Sequence, residues 1–467
     1  MMAQRARSGQ VTSVVMVQKD SRGAQGPQCS GHPWAFVVDA ERPVAEDRQA
    51  MSGTRGPLST HSIVRRYYGV WLCYCLAGGF LAGVYPLFLR SRGLSQLEMN
   101  SVLAVYFAVS LLFDVPTGAF ADALGRRRSF VLGCLLRGLS FALYFLSHTY
   151  VFFLVAEAID AVGTTFCNGA VDAWAVDGLD EAGFEGPKHG LFSRIAQLSS
   201  LGFMASALAG AYVGAVDIAW PWLFGAAGFL LSAFAGRWLH ERPRAAAPRG
   251  RRAMGGAVRA QIGAGLRQGF GIRSVRLLSL AEAIVLGAMA PYWLEWPLLF
   301  KDSYGTGVWV VGWVYCVLAV GRLLGSEAAA RLVVVPGERP RLAAALTTAG
   351  GLALIGAGFV AHRPHQALVL LFLMNAFQGA REPLVQAWFN EEVASEARAT
   401  MISFRGMMAT AGGAIGLLLS GVVADLRGIP LAWKMAGTLC LLAVPCYLAL
   451  RTRVDLTLEA PGGPSPV

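Results

Sequence analysis

The 467-residue sequence is 55% hydrophobic and only 15% charged, and its formal net charge is +11. A soluble domain carries roughly a quarter of its residues as Asp, Glu, Lys and Arg, so this composition excludes an ordinary soluble protein and favours a lipid environment. The positive charge does not predict nucleic-acid binding, because the arginines lie in short clusters between apolar segments and form no continuous basic face.

The first 60 residues are polar, with Gly, Pro and Ser scattered among charges of both signs. No hydrophobic core of a signal peptide follows the early arginines. This composition predicts a disordered cytoplasmic N-terminal extension over residues 1–60, dispensable for the rest of the chain. Met51 is a second candidate for the start of translation.

Twelve apolar segments follow at regular intervals, each long enough for the ~20-residue helix that spans a bilayer. In lipid such segments are helices, because a helix satisfies its own backbone hydrogen bonds. The first six are predicted at 67–89, 98–120, 129–148, 150–175, 191–215 and 219–238. The second six are predicted at 276–299, 307–330, 342–361, 366–388, 401–424 and 431–450. The predicted fold class is all-α integral membrane, with six-helix bundles over residues 65–239 and 276–450.

The connection over residues 240–275 is the longest between predicted spans, and it is rich in arginine. Counting spans places this linker on the same side as both termini, including the tail 451–467. The loops on the other side are short and contain few Lys and Arg residues. The positive-inside rule therefore predicts cytoplasmic termini and a multi-pass location in a plasma membrane, and the Gly, Ala and Arg content favours a bacterial source. Two six-helix sets joined by a linker are typical of transporters built from repeats.

A motif between the second and third spans, residues 113–129, reads FDVPTGAFADALGRRRS. Gly118 lacks a side chain, which lets another helix backbone approach closely. Asp122 lies on the same helical face one turn nearer to water, and Gly125 permits a tight turn. A cluster of arginines that only sets topology is an alternative, but it explains neither the glycine nor the aspartate. The candidate gating residues of this motif are Asp114, Gly118, Asp122, Gly125, Arg126, Arg127 and Arg128.

This motif resembles the signature of the major facilitator superfamily, and NEEVASEARATMIS at residues 390–403 resembles the start of the eleventh helix in that family. The resemblance implies a twelve-helix transporter that moves a small solute by alternating access. In the family the motif aspartate faces the N-terminus of helix eleven, where the helix dipole favours an anion, and this pair holds the cytoplasmic side shut. Carried over, Asp122 becomes a gating carboxylate with Arg398 and Thr400 beside it. No aspartate follows Gly325 four residues on, so the first half carries the latch.

The fourth predicted span ends in GAVDAWAVD, which includes Asp172 and also resembles the family. Drug–proton antiporters of this family usually have an arginine in helix four and a Gly-Pro step in helix five, and this sequence departs from both features. The fourth span contains no Lys or Arg, and the glycine-rich fifth span, LGFMASALAGAYVG, contains no proline. These departures bear on the antiport mechanism and not on the fold.

Charged residues within the first six spans require partners or a function, because each costs ~2.5–3.5 kcal/mol near mid-bilayer on insertion scales. Arg137 in the third span and Asp160 in the fourth lie at nearly the same depth, so an ion pair is possible. That pair is either a static clamp or the site where a carboxylate exchanges a proton. Asp160 is the preferred residue for proton coupling or substrate binding, with Glu157 in reserve.

The second half contains Glu282 and Glu295 in the seventh span. Tryptophans on both sides of Glu295 predict an interfacial belt at the outer end of this span. The alternative is a cavity that holds an organic cation between aromatic rings. Arg381 and Glu382 in the tenth span are adjacent, so they point to different faces and need separate partners. The family resemblance favours a gating role for these two residues over substrate contact. The full set of candidates for substrate binding or proton coupling is Asp160, Glu157, Arg137, Asp172, Glu282, Glu295, Arg381 and Glu382.

Enzymatic signatures are lacking in the sequence, which has no Walker loop, no G-x-S-x-G and no cluster of metal ligands. We therefore predict a protein that is not an enzyme and needs no cofactor. The leading prediction is a monomeric secondary active transporter that exports a small organic solute, as a proton-coupled antiporter. An uptake symporter or uniporter, and a non-transporting sensor or assembly factor of the same fold, are the alternatives. Asp122 and Asp160 favour transport, because a scaffold alone does not need them.

Overall fold

The computed structural model describes residues 59–186, 188–241, 263, 267, 269–332, 334–393 and 395–450. Every regular element in these ranges is helical, and no strand occurs in them. The predicted extension, most of the basic linker and the predicted tail lie outside the described residues.

The first half of the described chain forms eight helices. They are α1 (Thr60–Gly79), α2 (Tyr85–Ser91), α3 (Gln96–Leu124), α4 (Arg126–Leu146), α5 (Tyr150–Cys167), α6 (Ala170–Glu181), α7 (His189–Val216) and α8 (Trp220–Gly236). The second half forms seven α-helices within the described ranges. They are α9 (Arg273–Leu298), α10 (Val308–Arg331), α11 (Arg339–Phe359), α12 (Pro364–Glu392), α13 (Ser395–Arg427), α14 (Ile429–Leu441) and α15 (Val444–Leu448). A π-helical turn, Leu299–Ser303, extends α9.

Nine helical segments of the described chain are long and apolar enough to cross a membrane. Large apolar side chains are exposed along them; Val216 is 76% exposed and Leu426 is 72% exposed. In hydrocarbon such side chains need no cover, whereas backbone groups must bond within the helix. The other three predicted spans coincide with the broken pair α1–α2, the 17-residue α8 and the more polar α12. The chain is thus an all-α, multi-pass membrane protein.

Three predicted spans are broken in the structure. The first, predicted at 67–89, is interrupted between α1 and α2, where Pro86 occupies the first turn of α2. The fourth, predicted at 150–175, ends its first segment at Cys167 and resumes after Gly169, which has a φ of +67°. That left-handed conformation suits glycine and interrupts the helix. The twelfth, predicted at 431–450, is interrupted at residues 442–443, between α14 and α15.

The two bundles meet through α3 and α13, which run antiparallel. The backbone N–H groups of Gln96 and Leu97 donate to the two carboxylate oxygens of Asp425, at 2.8 and 2.9 Å. Further along, Asn100 Nδ2 donates to the carbonyl oxygen of Leu417 at 2.9 Å. We call this end of the helix pair the Asp425 end, and the end that contains Asp122 the motif end.

Contact between the bundles is concentrated toward the Asp425 end. A second pair, α7 and α10, adds a hydrogen bond from Trp313 Nε1 to the Tyr212 hydroxyl at 3.2 Å. At the motif end, Phe113 of α3 and Ile402 of α13 are exposed. Among the described residues no hydrogen bond joins the bundles there. The described hydrogen bonds therefore fasten the bundles toward the Asp425 end, whereas Phe113, Gly118 and Ile402 are uncovered at the motif end.

Candidate functional site

The predicted motif forms the turn between α3 and α4. Gly125 has a φ of +104°, so the tight turn uses a conformation that glycine adopts readily. The Arg126 guanidinium lies 3.2 Å from Asp177 and 3.8 Å from Asp122. The close helix approach predicted at Gly118 is absent in this structure, because a Cβ there would meet no atom within 4 Å.

Glu241 is a residue of this turn that sequence reasoning missed. Its carboxylate accepts from the backbone N–H of Arg126 at 2.8 Å and from that of Arg127 at 3.2 Å. An anion at a helix N-terminus satisfies free N–H groups and complements the helix dipole. Glu241 thereby caps α4. The sequence offers little signal for this role, since Glu241 is a single acid more than 100 residues along the chain from its partners.

The predicted latch partners lie apart in this structure. Asp122 has a side chain that is 75% exposed. Arg398 donates to the backbone oxygens of Asn390 at 2.9 Å and Val393 at 3.3 Å, and so supports the start of α13. Thr400 is half-buried. No hydrogen bond or ion pair joins Asp122 to Arg398 among the described residues.

Three other candidates of the first bundle occupy different environments. Asp114 and Arg128 are exposed. Asp172 accepts a hydrogen bond from the Tyr67 hydroxyl at 2.6 Å, which links α6 to α1. Asp172 is therefore engaged in packing between helices.

Arg137 and Asp160 form the ion pair that their matching depths predict. Arg137 Nε lies 2.8 Å from Asp160 Oδ1, and Nη2 lies 3.2 Å from Oδ2. Nη1 donates to the Tyr74 hydroxyl at 2.6 Å. The guanidinium also lies over the Phe229 ring, 4.2 Å from its centroid. Both carboxylate oxygens of Asp160 are thus bound by one arginine, within an aromatic cage.

Glu157, one helical turn from Asp160, has no such cation partner. Its Oε2 accepts hydrogen bonds from the hydroxyls of Tyr144 and of Tyr85, the latter at 3.3 Å. The Tyr144 ring stacks on Trp222 at 3.9 Å, and Glu157 itself is buried. Among the described residues no Lys, Arg or His nitrogen lies within 4 Å of this carboxyl. Glu157 is a buried acid held only by neutral donors.

The second bundle contains a corresponding arginine–carboxylate–tyrosine cluster. Arg381 Nη1 donates to Glu282 and, at 2.6 Å, to the Tyr447 hydroxyl. Arg381 Nε donates to Gln378 Oε1 at 3.0 Å. The neighbouring Glu382 pairs instead with Arg322, at 2.7 Å. The adjacent charges therefore have separate partners, as their positions on a helix require.

Two adjoining cavities in the second bundle share Glu282 and Glu382. One, of about 190 Å³, is also lined by Arg381, Arg322 and aromatic and aliphatic side chains. The other, of about 310 Å³, is also lined by Arg405. The sequence interpretation of Arg381 and Glu382 as gating residues thus has a competitor, since both side chains line the smaller cavity and Glu382 also lines the larger one.

The interfacial-belt interpretation of the tryptophans around Glu295 stays a prediction, whereas Glu295 itself lies in the interior of the bundle. Glu295 is 0% exposed, and Trp296 beside it is also buried, while Trp293 is exposed. One oxygen of Glu295 accepts from Ser420 Oγ at 2.7 Å. The tryptophan pattern does not indicate that Glu295 is buried, because the exposed Trp293 lies on one face of the helix and Glu295 lies on the face that packs against α13.

These features define a class of protein: a membrane bundle of two halves, fastened toward one end, with buried ion pairs and a polar cavity. The sequence matches the Major Facilitator Superfamily over residues 69–294 and 277–465. The chain belongs to this superfamily, and it is an MFS transporter by family.

Named relatives match only part of the chain. Multidrug resistance protein 2 of Bacillus subtilis (strain 168) is 27% identical over 158 residues, which is 33% of this chain and 38% of that protein. The uncharacterized MFS-type transporter YxaM of the same organism is 26% identical over 150 residues, 32% of this chain and 36% of that protein. The aligned segments thus span little more than a third of each relative.

Solved structures match the fold over more of the chain. The nucleoside transporter NupG has a TM-score of 0.65 at 14% identity, covering 83% of this chain and 98% of that one. The human organic anion transporter MFSD10 (TETRAN) has a TM-score of 0.60 at 18% identity, covering 83% of this chain and 99% of that one. At these identities the similarity establishes the fold alone.

Proposed function

We propose that this chain exports a small organic solute by alternating access, with proton coupling, and that its motif end faces the cytoplasm. The arginine-rich linker and Arg126 to Arg128 support this orientation, because basic loops are retained on the cytoplasmic side. In that orientation the uncovered motif end of the described conformation faces inward. The aligned segment of Multidrug resistance protein 2 favours export of a small molecule over uptake.

Alternating access needs two closures that exclude each other, and α3 and α13 offer one at each end. At the Asp425 end, a carboxylate near the end of α13 binds the first N–H groups of α3. Because the helices are antiparallel, Asp122 near the end of α3 stands in the same relation to the first turn of α13. This reciprocal placement carries the proposal: each aspartate would cap the other helix, and rocking of the bundles exchanges one cap for the other.

Glu157 is the residue to which we assign the coupling proton, in place of the sequence preference for Asp160. Arg137 binds both oxygens of Asp160, which makes the pair a clamp. Glu157 is buried against Tyr85 and Tyr144 and lacks a cation of its own. A desolvated carboxyl without a cation changes its proton occupancy when its surroundings change.

A substrate-independent experiment tests this assignment. Infrared difference spectra of the purified protein, recorded from about pH 5 to about pH 9, detect carboxyl groups that lose a proton. Glu157→Gln should remove part of the titrating carboxyl band. Glu295→Gln, which changes a buried acid of the other bundle, is the matched control and should remove a different component. Asp160→Asn combined with Arg137→Gln should keep the Glu157 component. If the component persists in Glu157→Gln and disappears in this double variant, the assignment is contradicted.

Export itself is tested in a bacterial host that lacks its own main efflux pumps. The host is exposed to a panel of fluorescent organic solutes, with and without the full chain. We expect lower accumulation of at least one solute, reversal by an uncoupler, and no reduction with Glu157→Gln. Higher accumulation in cells with the wild-type chain would indicate uptake, and uncoupler-insensitive reduction would contradict proton coupling.

A further inference from the structure

The two adjoining cavities of the second bundle have an uneven distribution of charge. Of the described residues, three arginines line them, Arg322, Arg381 and Arg405, and two carboxylates do, Glu282 and Glu382. Each carboxylate is already occupied. Glu382 pairs with Arg322 at 2.7 Å, and Glu282 pairs with Arg381. One positive charge of this wall therefore has no carboxylate of its own.

That charge belongs to Arg405 on α13. Its Nη2 donates to Gln386 Oε1 at 2.6 Å, while its Nη1 is buried and has no hydrogen-bond partner in the part of the chain that the structure describes. The guanidinium lies over the Phe389 ring, 4.8 Å from the centroid. Among the described residues no carboxylate oxygen lies within 4 Å of it. An amide and an aromatic face hold the guanidinium in place without neutralising it.

An unpaired cation inside a membrane bundle is costly unless water or a ligand compensates it. A guanidinium fixed by its neighbours is also ready to bind a carboxylate or another planar anion through two N–H groups. The adjoining cavity offers Met289, Tyr292 and Trp293 for an apolar body. Among the described residues, the cavity wall thus combines one guanidinium that has no carboxylate partner with an aromatic and aliphatic surface. Both of its carboxylates already pair with arginines.

We infer that the transported solute is a small organic anion whose acidic group binds Arg405. This inference rests on the proposed transport function and specifies its substrate class. It makes Arg405 a binding residue, with Gln386 and Phe389 as positioning residues. Solutes of the same size that are neutral or cationic lack the group that neutralises Arg405, and they bind more weakly.

Binding to the purified full chain in detergent tests this inference without a proton gradient. The probes are benzoate, benzamide and benzylamine, which share a ring and differ in charge, and sodium chloride of equal ionic strength is the reference. A ligand that binds the folded state raises the melting temperature. We expect benzoate to raise it and the other two probes to leave it near the reference. Benzenesulfonate and phenylphosphonate distinguish a general anion site from one selective for carboxylates.

Variants assign the effect to Arg405. Arg405→Gln should abolish the benzoate shift, whereas Arg405→Lys keeps the charge but loses the planar fork, so it should weaken apparent affinity about tenfold. Arg331→Gln is the matched control, since Arg331 is exposed and pairs within its own helix with Glu327; its benzoate shift should equal that of wild type. If Arg405→Gln does not fold, the Arg405→Lys comparison with Arg331→Gln decides.

An equal shift with benzamide, no benzoate shift in wild type, or an undiminished shift in Arg405→Gln would each overturn the anion site. None of these results depends on Glu157. Loss of the anion site with a retained Glu157 infrared component would leave proton-coupled export intact and refute only the substrate class. Benzoate binding without the Glu157 infrared component would support the anion site and refute proton coupling through Glu157.

Discussion

The two ends of the α3–α13 pair use the same kind of residue in opposite ways. At the Asp425 end a carboxylate caps the neighbouring helix through two backbone hydrogen bonds of 2.8 and 2.9 Å. At the motif end Asp122 is largely exposed and contacts only its own turn, through Arg126 at 3.8 Å. Among the described residues, the carboxylate at the first end joins the two bundles, and Asp122 at the other end does not. An inter-bundle contact at one end therefore has to be judged together with its counterpart at the other end.

A second difference separates the ends from the interior. The Arg137–Asp160 pair lies inside the first bundle and joins α4 to α5 and, through Tyr74, to α1. It connects no residues of different bundles. We therefore expect this clamp to stabilise one bundle in every conformation, whereas the caps at the two ends select between conformations.

The largest expected effect is on the clamp. Arg137→Gln leaves Asp160 buried without its cation, and this should lower the free energy of unfolding by about 3–5 kcal/mol. The yield of monodisperse protein and its thermal unfolding in detergent measure the loss.

Asp160→Asn should be damaging for the same reason, and the double variant Arg137→Gln with Asp160→Asn should recover much of the stability. No recovery in the double variant would mean that the two residues do not act as a pair. If these two changes opened either end as much as the changes at Asp425 and Asp122 do, the clamp and the caps would not have separate roles.

The next largest effect concerns the fastened end. Asp425→Ala removes both acceptors for the first N–H groups of α3, and loss of a helix cap costs about 1 kcal/mol, or roughly fivefold in population. A cysteine introduced at Leu103, which packs between the bundles, should then react faster with an impermeant maleimide from that side. Asp425→Asn keeps one acceptor oxygen and should have a smaller effect. Unchanged reactivity in Asp425→Ala would show that this cap does not hold the end closed.

Asp122→Asn should affect conformation and transport more than stability. Because Asp122 is exposed and open to water in this conformation, its change should alter the free energy of unfolding by less than about 0.5 kcal/mol. The protein should remain in the membrane while transport falls, and a cysteine at Phe113 should become more accessible from the cytoplasmic side. Normal turnover with an unchanged accessibility pattern would mean that the latch is elsewhere.

The smallest effect is expected from removing residues 1–50. Their composition cannot bury an apolar core, so the truncated chain should insert and transport nearly as well as the full chain. Immunoblots of membrane fractions and solute accumulation measure this. Failure to insert or to transport would reveal a role for the segment.

Local features of the fold were predictable from sequence, and long-range ones were not. The turn at Gly125 follows from glycine between a helix end and a basic cluster, and the Arg137–Asp160 pair follows from equal depth on adjacent spans. The cap of α3 by Asp425 joins residues more than 300 positions apart, and no periodicity indicates such a partner.

The sequence analysis missed features that differ between neighbouring residues of one apolar segment. The break before Pro86 lies in an apolar stretch that hydropathy alone treats as continuous. Glu295 was assigned from its tryptophan neighbours, although adjacent helical residues point to different faces. The choice between Asp160 and Glu157 depends on which acid the guanidinium reaches, and two acids three residues apart on one helix are both within range at the level of sequence.

Reciprocal closure is tested by measuring distances at both ends of the α3–α13 pair in the same protein. Spin labels are placed at Ala123 and Ile402 for the motif end, and at Ser91 and Arg427 for the Asp425 end, in a background with all eight native cysteines replaced. Double electron–electron resonance then gives both distance distributions. We predict that Asp425→Ala lengthens the Ser91–Arg427 distance and shortens the Ala123–Ile402 distance, and that Asp122→Asn does the opposite. Distances that change at one end without the converse change at the other, or that shift in the same direction in both variants, would contradict the account.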